Sequence, residues 1–203
     1  RMVRAGKWNG WAPTQLMGHR VHRRSLGIIG MGRIGQALAL RALGFGMSIN
    51  YHNRKRIGVD IEKKLKAKYW KNLDQMIGSI DILSINAPLT PDTTKILNAA
   101  RLERMRSNSI LINTARGGLV DEEALIRILK KGPIAAAGLD VFDREPLVNP
   151  QLVQLENVVL LPHLGSATLE TRIAMGERVI KNILSFVALI PDVTGNIGIF
   201  AFL

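Results

Sequence analysis

A glycine-rich turn between a short apolar run and an amphipathic segment constrains the fold of this chain most. After the run Leu26–Ile29, Gly30, Gly32 and Gly35 have the spacing G-x-G-x-x-G, and apolar residues then recur at helical intervals from Ile34. The first glycine permits a tight turn, the second lets a pyrophosphate approach the backbone, and the third lets helix and strand pack closely. The helix N-terminus offers free N–H groups to phosphates. The segment predicts a dinucleotide-binding unit, and the alternative is a glycine turn without a ligand.

Apolar strands alternate with amphipathic helices along most of the chain, which indicates parallel strands joined by helical crossovers. The predicted strands are Ser25–Gly30, Met47–His52, Ile80–Asn86, Ser109–Thr114, Ala135–Leu139 and Val158–Leu161. The predicted helices are Arg33–Leu43, Ile61–Lys68, Leu73–Ile77, a segment from the cap Asp121 to Gly132–Pro133, and a final helix that starts at Thr168. We therefore expect an α/β fold, a Rossmann-type doubly wound parallel sheet.

The pattern divides the 203 residues into three parts. Residues 1–20 place Trp8 and Trp11 among glycine and proline, which suits an arm between domains. Residues 21–167 form the predicted dinucleotide-binding domain, and residues 168–203 form a C-terminal helix and tail. The two tryptophans predict a contact with another domain or subunit, or packing onto this chain's own domain.

The formal net charge of +12 raises the question of nucleic acid as a partner. The basic residues form only modest clusters, at Arg20–Arg24, Arg54–Arg56 and Lys63–Lys71, so a solvated basic surface that attracts an anionic cofactor and an acidic substrate is favoured. We expect no nucleic-acid partner.

The absence of cysteine excludes a disulfide scaffold, an iron–sulfur cluster and a thiol nucleophile. No His, Asp or Glu cluster has metal-ligand spacing, so we expect no metal site. No N-terminal signal peptide is visible, and the apolar stretch Phe186–Leu203 is interrupted by Pro191 and Asp192. These features predict a cytoplasmic protein without a membrane partner.

The end of the second predicted strand bears on the cofactor. In dinucleotide folds an acidic residue about 20 positions after the glycine turn binds the ribose 2′-hydroxyl. Here Asn53 takes that place and Arg54 follows. A carboxylate would repel a 2′-phosphate, whereas Arg54 would pair with it. The sequence therefore predicts NADP (NADPH) as the preferred cofactor, with NAD possible, and the alternative is a solvated basic turn.

Three more segments lie at the ends of predicted strands, where open α/β sheets bind ligands. They are Asn113–Gly118, Gly138–Pro146 and Leu161–Ser166. Together with G-M-G-R-I-G-Q and A-P-L-T-P-D-T, these segments resemble the D-isomer-specific 2-hydroxyacid dehydrogenase family over about residues 5–187. Within the family, the turn His52–Arg56 looks most like the glyoxylate and hydroxypyruvate reductases.

The resemblance implies that Arg116, Glu145 and His163 are the catalytic residues. Such an enzyme transfers a hydride between NADPH and a small 2-keto or D-2-hydroxy acid, such as glyoxylate or hydroxypyruvate. An imidazole ordinarily titrates near neutral pH and suits proton transfer to the carbonyl oxygen. A carboxylate can orient it, and a guanidinium can hold the substrate carboxylate. Without the resemblance, His163 could be a polar strand cap and Arg116 a surface residue.

The glycine motif, the strand ends and the resemblance together imply one set of cofactor-binding residues: Gly30, Gly32, Arg33, Ile34, Gly35, Asn53, Arg54, Ala87, Pro88, Thr114, Ala115, Arg116, Asp140, His163 and Gly165. Asp140 matches the family residue that contacts the nicotinamide carboxamide; without the resemblance it could simply cap a turn.

The resemblance also implies a homodimer that pairs through this domain. Family members have a second, substrate-binding domain supplied mostly by an N-terminal segment, and most of that segment is missing here. The final helix would pack on that absent domain, and the tail Ala188–Leu203 is atypical of the family. Two other functions stay open: a co-repressor-like protein that senses NAD(H), and an inactive fragment that only binds cofactor.

Overall fold

The computed structural model describes residues 2–187. The strands are β1 (Ser25–Ile29), β2 (Ser48–His52), β3 (Ala67–Tyr69), β4 (Ile82–Ile85), β5 (Ser109–Asn113), β6 (Ile134–Leu139) and β7 (Val158–Leu160). The helices are α1 (Arg33–Gly44), α2 (Val59–Leu65), α3 (Leu73–Ile77), α4 (Ala99–Glu103), α5 (Glu122–Lys131), α6 (Pro150–Val153) and α7 (Leu169–Val187). A short 3-10 turn spans Gly117–Leu119.

The strands form one seven-stranded parallel sheet in the order β3-β2-β1-β4-β5-β6-β7. The order reverses at β1, which pairs with β2 on one side and with β4 on the other. This is the predicted doubly wound Rossmann-type sheet. Because all strands run in one direction, their carboxyl ends share one edge, where the connecting loops can build a site.

Alternate strand residues supply two apolar clusters, as expected for a sheet covered on both faces. In β1, Leu26 and Ile28 belong to one cluster and Ile29 to the other. The amphipathic helix α5 shows how the sequence directs this packing. The Asp121 side chain accepts a hydrogen bond from the Ala124 N–H at the start of α5, and five of the ten helix residues are buried. The two apolar clusters hold the strands in place and so position the loops at their carboxyl ends.

The sequence prediction was wrong around the third strand. The charged run predicted a helix over Ile61–Lys68, but α2 ends at Leu65 and Lys66 adopts a left-handed φ of 47°. Ala67–Tyr69 then pairs with β2 as β3. The short helices α4 and α6 were not predicted, and the fifth strand ends at Asn113 rather than Thr114.

The arm and the last helix have largely exposed side chains. Residues 2–24 form turns, without a helix or strand in this described stretch. Trp8 and Trp11 are 54% and 82% exposed, so neither is buried against its own domain. Helix α7 has no buried residue. At its start, the Thr168 hydroxyl oxygen accepts a hydrogen bond from the Thr171 backbone N–H. The predicted atypical tail, residues 188–203, lies outside the described residues.

Candidate active site

The loops at the carboxyl ends of the strands enclose a cavity of about 610 Å³. It lies where the strand order reverses, between the ends of β1, β2 and β4. Predicted cofactor-binding residues that line it are Gly30, Asn53, Arg54, Ala87 and Pro88. Further lining residues are Ile29, His52, Lys55, Thr90, Asp92, Thr93 and Ile96. The sequence reasoning did not select this second set.

The glycine turn is built by close backbone contacts. Gly30 has φ +94°, and a Cβ there would lie 2.6 Å from the Ala87 backbone nitrogen. A Cβ at Gly35 would lie 2.3 Å from the Gly30 carbonyl oxygen. Gly32, at the N-cap of α1, has no atom within 4 Å of a Cβ position, and no side chain caps the helix. The N-terminus of α1, including the exposed residues Arg33 and Ile34, is thus open to a ligand.

Asn53 connects the loop after β2 to the glycine turn. Its side-chain Oδ1 accepts a hydrogen bond from the Met31 N–H at 3.1 Å, and its backbone oxygen accepts one from the Tyr69 hydroxyl at 3.3 Å. Arg54 follows on the cavity wall with an exposed side chain. Asn53 therefore positions the turn, and Arg54 presents the positive charge.

The loop after β4 forms the opposite wall of the cavity. Its shape depends on Thr93, whose hydroxyl donates to the Pro88 carbonyl oxygen at 2.7 Å and accepts from the Thr90 N–H at 2.8 Å. The signal for Thr90, Asp92 and Thr93 was present in the sequence, because A-P-L-T-P-D-T follows a predicted strand. From that motif the sequence predicts only Ala87 and Pro88 as cofactor-binding residues.

A buried asparagine organises the loop after β5 that carries Arg116. The Asn113 side chain accepts a hydrogen bond from the Ala115 N–H at 3.1 Å and donates one to the Arg116 carbonyl oxygen at 2.9 Å. Thr114 and Arg116 are exposed at this edge, and Ala115 is half-buried. The Arg116 Nη1 donates to the Ala115 carbonyl oxygen. Asn113 is thus a positioning residue that the sequence reasoning did not single out.

Gly117 lets this loop touch the loop after β6. A Cβ at Gly117 would lie 1.9 Å from the carbonyl carbon of Phe142. No side chain fits such an approach, so the backbone that follows Arg116 lies directly against the segment that leads to Glu145.

Glu145 and His163 form a direct pair. The His163 Nδ1 lies 2.8 Å from the Glu145 Oε2, and the Glu145 Oε1 accepts the Phe142 N–H at 3.0 Å. A carboxylate can only accept, so Nδ1 carries a hydrogen and Nε2 is left for a ligand. The hydrogen bond from His163, with those of Phe142 and the positive charge of Arg116, lowers the pKa of Glu145. Glu145 is therefore ionised at neutral pH.

Asp140 shapes the turn that carries His163. Its buried carboxylate accepts the Leu164 N–H at 2.7 Å and the Gly165 N–H at 2.8 Å. Its backbone oxygen accepts the His163 N–H at 3.0 Å, and His163 adopts a left-handed φ of 54°. The resemblance implied a cofactor contact for Asp140, and the geometry also gives it this structural task. A strained backbone at the imidazole is typical of functional sites.

The predicted residues thus fall into two groups along one sheet edge. In the first group, Gly30, Asn53, Arg54, Ala87 and Pro88 line the cavity, and Gly32, Arg33, Ile34 and Gly35 follow at the start of α1. The second group holds the polar side chains suited to proton transfer. That group comprises Thr114, Ala115, Arg116, Asp140, Glu145, His163 and Gly165. A cavity lined by a cationic side chain, next to a glycine turn that leads into an uncapped helix N-terminus, fits a dinucleotide. Residues 2–187 contain no His, Asp or Glu group suited to holding a metal ion.

Comparison with known proteins identifies the family. The family model for the D-isomer specific 2-hydroxyacid dehydrogenase NAD binding domain matches residues 1–165. The chain belongs to this family. The matched residues include all seven strands of the sheet described above and the glycine turn.

Curated relatives of this 2-hydroxyacid dehydrogenase domain are named as reductases. The glyoxylate reductase of Thermococcus litoralis is 47% identical over 188 residues, which cover 91% of this chain and 56% of that protein. The glyoxylate/hydroxypyruvate reductase B of Erwinia tasmaniensis is 47% identical over 185 residues, 90% of this chain and 57% of that protein. The chain spans little more than half the length of these relatives.

A solved structure of similar fold carries a cofactor. It is the NADPH-dependent glyoxylate/hydroxypyruvate reductase of Sinorhizobium meliloti in complex with NADP and malonate, with a TM-score of 0.83 and 40% sequence identity. The similarity covers 91% of this chain and 56% of that chain. Over residues 2–187, none of the helices is both long and apolar enough to cross a membrane.

Proposed function

We propose that this chain is the cofactor-binding part of a reductase that transfers a hydride between NADPH and a small 2-keto acid such as glyoxylate or hydroxypyruvate. The observation that carries the proposal is the His163–Glu145 pair, 2.8 Å between Nδ1 and Oε2, on the same sheet edge as the dinucleotide cavity. The names of the relatives support the substrate class. The location in the cytoplasm stays a prediction.

Each polar residue of the second group has a distinct part in the proposed reaction. Bound NADPH would supply the hydride. His163, protonated and held by Glu145, would give its Nε2 proton to the substrate's carbonyl oxygen. Arg116 would hold the substrate carboxylate through paired hydrogen bonds. Asp140 would keep the His163 turn in place while also meeting the cofactor.

The preference for NADPH over NADH is part of the proposal. Arg54 lines the cavity, and no carboxylate occupies the end of β2. Exchanging Asn53 for Asp keeps an oxygen for the Met31 N–H, so the loop contact survives. Asn53→Asp combined with Arg54→Ser should therefore shift the NADPH/NADH affinity ratio toward NADH. An unchanged ratio would contradict the cofactor assignment.

The reaction itself is tested by NADPH oxidation with glyoxylate and hydroxypyruvate, followed by absorbance. Both this chain and an N-terminally extended form are assayed, because the matched residues cover only 56% of the Thermococcus litoralis reductase. In the extended form, His163→Asn should lower turnover by about 100-fold or more while the Kd for NADPH changes by less than about twofold. His19→Asn, an exposed histidine of the arm, is the matched control.

Two outcomes would contradict the reductase. An extended form that binds NADPH tightly but reduces neither keto acid would leave only a binding protein. Unchanged turnover in His163→Asn would remove His163 from proton transfer. Binding by the short chain without turnover agrees with the proposal, since domain closure excludes water around the hydride in such enzymes.

A further inference from the structure

The three basic residues after Asn53 have different surroundings. The Arg56 guanidinium pairs twice with Glu62, with Nε 2.8 Å from Oε1 and Nη2 2.7 Å from Oε2. Arg54 and Lys55 make no hydrogen bond or ion pair with any residue of the described range 2–187, and both line the dinucleotide cavity. Arg56 does not line it. The run Arg54–Arg56 is thus two available cations followed by one that is already neutralised.

Glu62 is a buried carboxylate that gathers several partners. It lies on α2 with a side chain only 8% exposed, and it accepts hydrogen bonds from Arg56 and from the hydroxyl of the fully buried Tyr51. These hydrogen bonds lower the pKa of Glu62 to about 2, and burial raises the pKa of Tyr51 to about 12. Glu62 is therefore an anion and Tyr51 a neutral phenol at every pH suitable for binding experiments.

The same network fixes the loop between β2 and α2. The Tyr51 hydroxyl accepts the Ile57 N–H at 3.2 Å. Arg56 lies over the Tyr69 ring, 5.8 Å from the ring centroid, and Tyr69 in turn donates to the Asn53 backbone oxygen. The loop is held at position 53 and at positions 56 and 57. Only positions 54 and 55, at its tip, are free to face a ligand.

We propose that Glu62 is a positioning residue for recognition of the cofactor 2′-phosphate, acting through Arg56 and Tyr51 to hold Arg54 and Lys55 at the cavity. Arg56 does not line the cavity, and its Nε and Nη2 groups are paired with Glu62, so Arg54 and Lys55 are the cations placed to meet the phosphate. Asp92 lines the same cavity, and its negative charge would repel a phosphate, so the placement of the two cations matters more. This inference rests on the proposed preference for NADPH.

The test compares two probes that differ only in the group of interest: 2′-phospho-ADP-ribose and ADP-ribose, titrated calorimetrically into the full chain. Arg54→Ala should weaken binding of the phosphorylated probe by about tenfold or more. Glu62→Gln, Arg56→Ala and Arg56→Lys should each weaken it by about threefold to tenfold. Binding of ADP-ribose should change by less than about twofold in every variant. Lys63→Ala, an exposed cation on the same helix, controls for loss of charge and should match the wild type.

The double variant separates positioning from direct contact. If Arg56 acts only through Glu62, then Glu62→Gln with Arg56→Ala should be no worse than either single change. If Arg56 binds the phosphate, Glu62→Gln would release it and tighten binding, and Arg56→Lys would keep most of the affinity. Either of these results would overturn the inference.

Failure of the inference is distinguishable from failure of the NADPH proposal. A wild-type chain that binds both probes equally, or an Arg54→Ala variant that keeps the preference, contradicts the cofactor proposal. If only Arg54→Ala loses the preference for the phosphorylated probe, and the Glu62 and Arg56 variants keep wild-type affinities, then only the positioning role of Glu62 is contradicted. If Glu62→Gln does not bind ADP-ribose, Tyr51→Phe is measured in its place, because this change removes the hydroxyl that contacts Glu62 and keeps the buried ring. It should weaken the phosphorylated probe selectively.

Discussion

Gly30, Gly32 and Gly35 belong to one motif but meet different surroundings. A Cβ at Gly30 or Gly35 would collide with backbone atoms, the nearest at 2.6 Å and 2.3 Å. A Cβ at Gly32 would meet nothing within 4 Å, and the backbone there has a φ of −78°, which any residue can adopt. The outer two glycines are required by the fold, whereas the middle one leaves space at the helix N-terminus.

This difference predicts that alanine at Gly35 impairs stability, whereas alanine at Gly32 impairs ligand binding. Gly35→Ala should lower the free energy of unfolding by about 2 kcal/mol or more, since backbone must move to admit the methyl group. Gly32→Ala should leave stability within about 0.5 kcal/mol of the wild type and weaken NADPH binding by about tenfold or more, because the methyl group occupies the ligand's approach. Thermal unfolding and calorimetric titration measure the two effects. Equal losses of stability in both variants would contradict the assignment.

At the scale of elements, the loops that carry Arg116 and Glu145 touch through their backbones. Gly117 approaches Phe142 so closely that an added Cβ would lie within 1.9 Å. Gly118, its neighbour, would place a Cβ 3.2 Å from the flexible Leu89 side chain. The two adjacent glycines therefore offer a matched pair of substitutions on one loop.

Gly117→Ala should separate the two loops and lower turnover in the extended form by about 100-fold, with a loss of several degrees in Tm. Gly118→Ala should cost less than about threefold in turnover, because the Leu89 side chain can rotate away. Steady-state NADPH oxidation and thermal unfolding are the measurements. A Gly117→Ala variant with wild-type kinetics would show that the contact does not position the site.

Long elements with periodic patterns were predictable, and short ones held by distant partners were not. The β1–α1 unit and α5 follow from local signals, and both are confirmed. β3 has three residues and exists because Ile49–Tyr51 pairs with it, a contact that no local pattern encodes. The sequence could likewise place His163 and Glu145 at strand ends. The tasks of Asn113 and Thr93 depend on backbone geometry that only the folded loops define.

At the scale of the whole molecule, lowered carboxyl pKa values make stability depend on pH. The pKa of Glu62 falls to about 2 through its hydrogen bonds with Arg56 and Tyr51, and the pKa values of Glu145 and Asp121 are also lowered. Groups with a lowered pKa in the folded state stabilise it above their ordinary pKa, and this stabilisation is lost as the pH falls toward the folded value.

The free energy of unfolding should therefore decline from about pH 4.5 downward. In Glu62→Gln the decline should be shallower, because one of the contributing carboxylates is gone. Urea unfolding at a series of pH values between 3 and 7 measures it, with the exposed Glu103→Gln as control. Identical pH profiles for the wild type and Glu62→Gln would contradict the role of this carboxylate in the fold.

The exposed tryptophans of the arm bear on assembly. Trp11 is 82% exposed, and large aromatic side chains commonly anchor subunit interfaces. We predict a homodimer, so sedimentation equilibrium at micromolar concentration should give twice the mass of one chain. Trp11→Ala should weaken dimerisation by about tenfold or more, while Val59→Ala, a partly exposed apolar residue on α2, should not. A monomeric wild type would contradict the dimer.

The open space at Gly32 also bears on how this sequence can drift. A descendant that keeps the fold but no longer binds a dinucleotide would still require glycine at positions 30 and 35, since any replacement there deforms the turn. Position 32 would be released, because stability alone does not select its residue. A survey of tolerated substitutions under selection for folding would therefore accept many residues at Gly32, and the same survey under selection for cofactor binding would accept few. Under the proposed function, ligand binding rather than folding selects glycine at position 32.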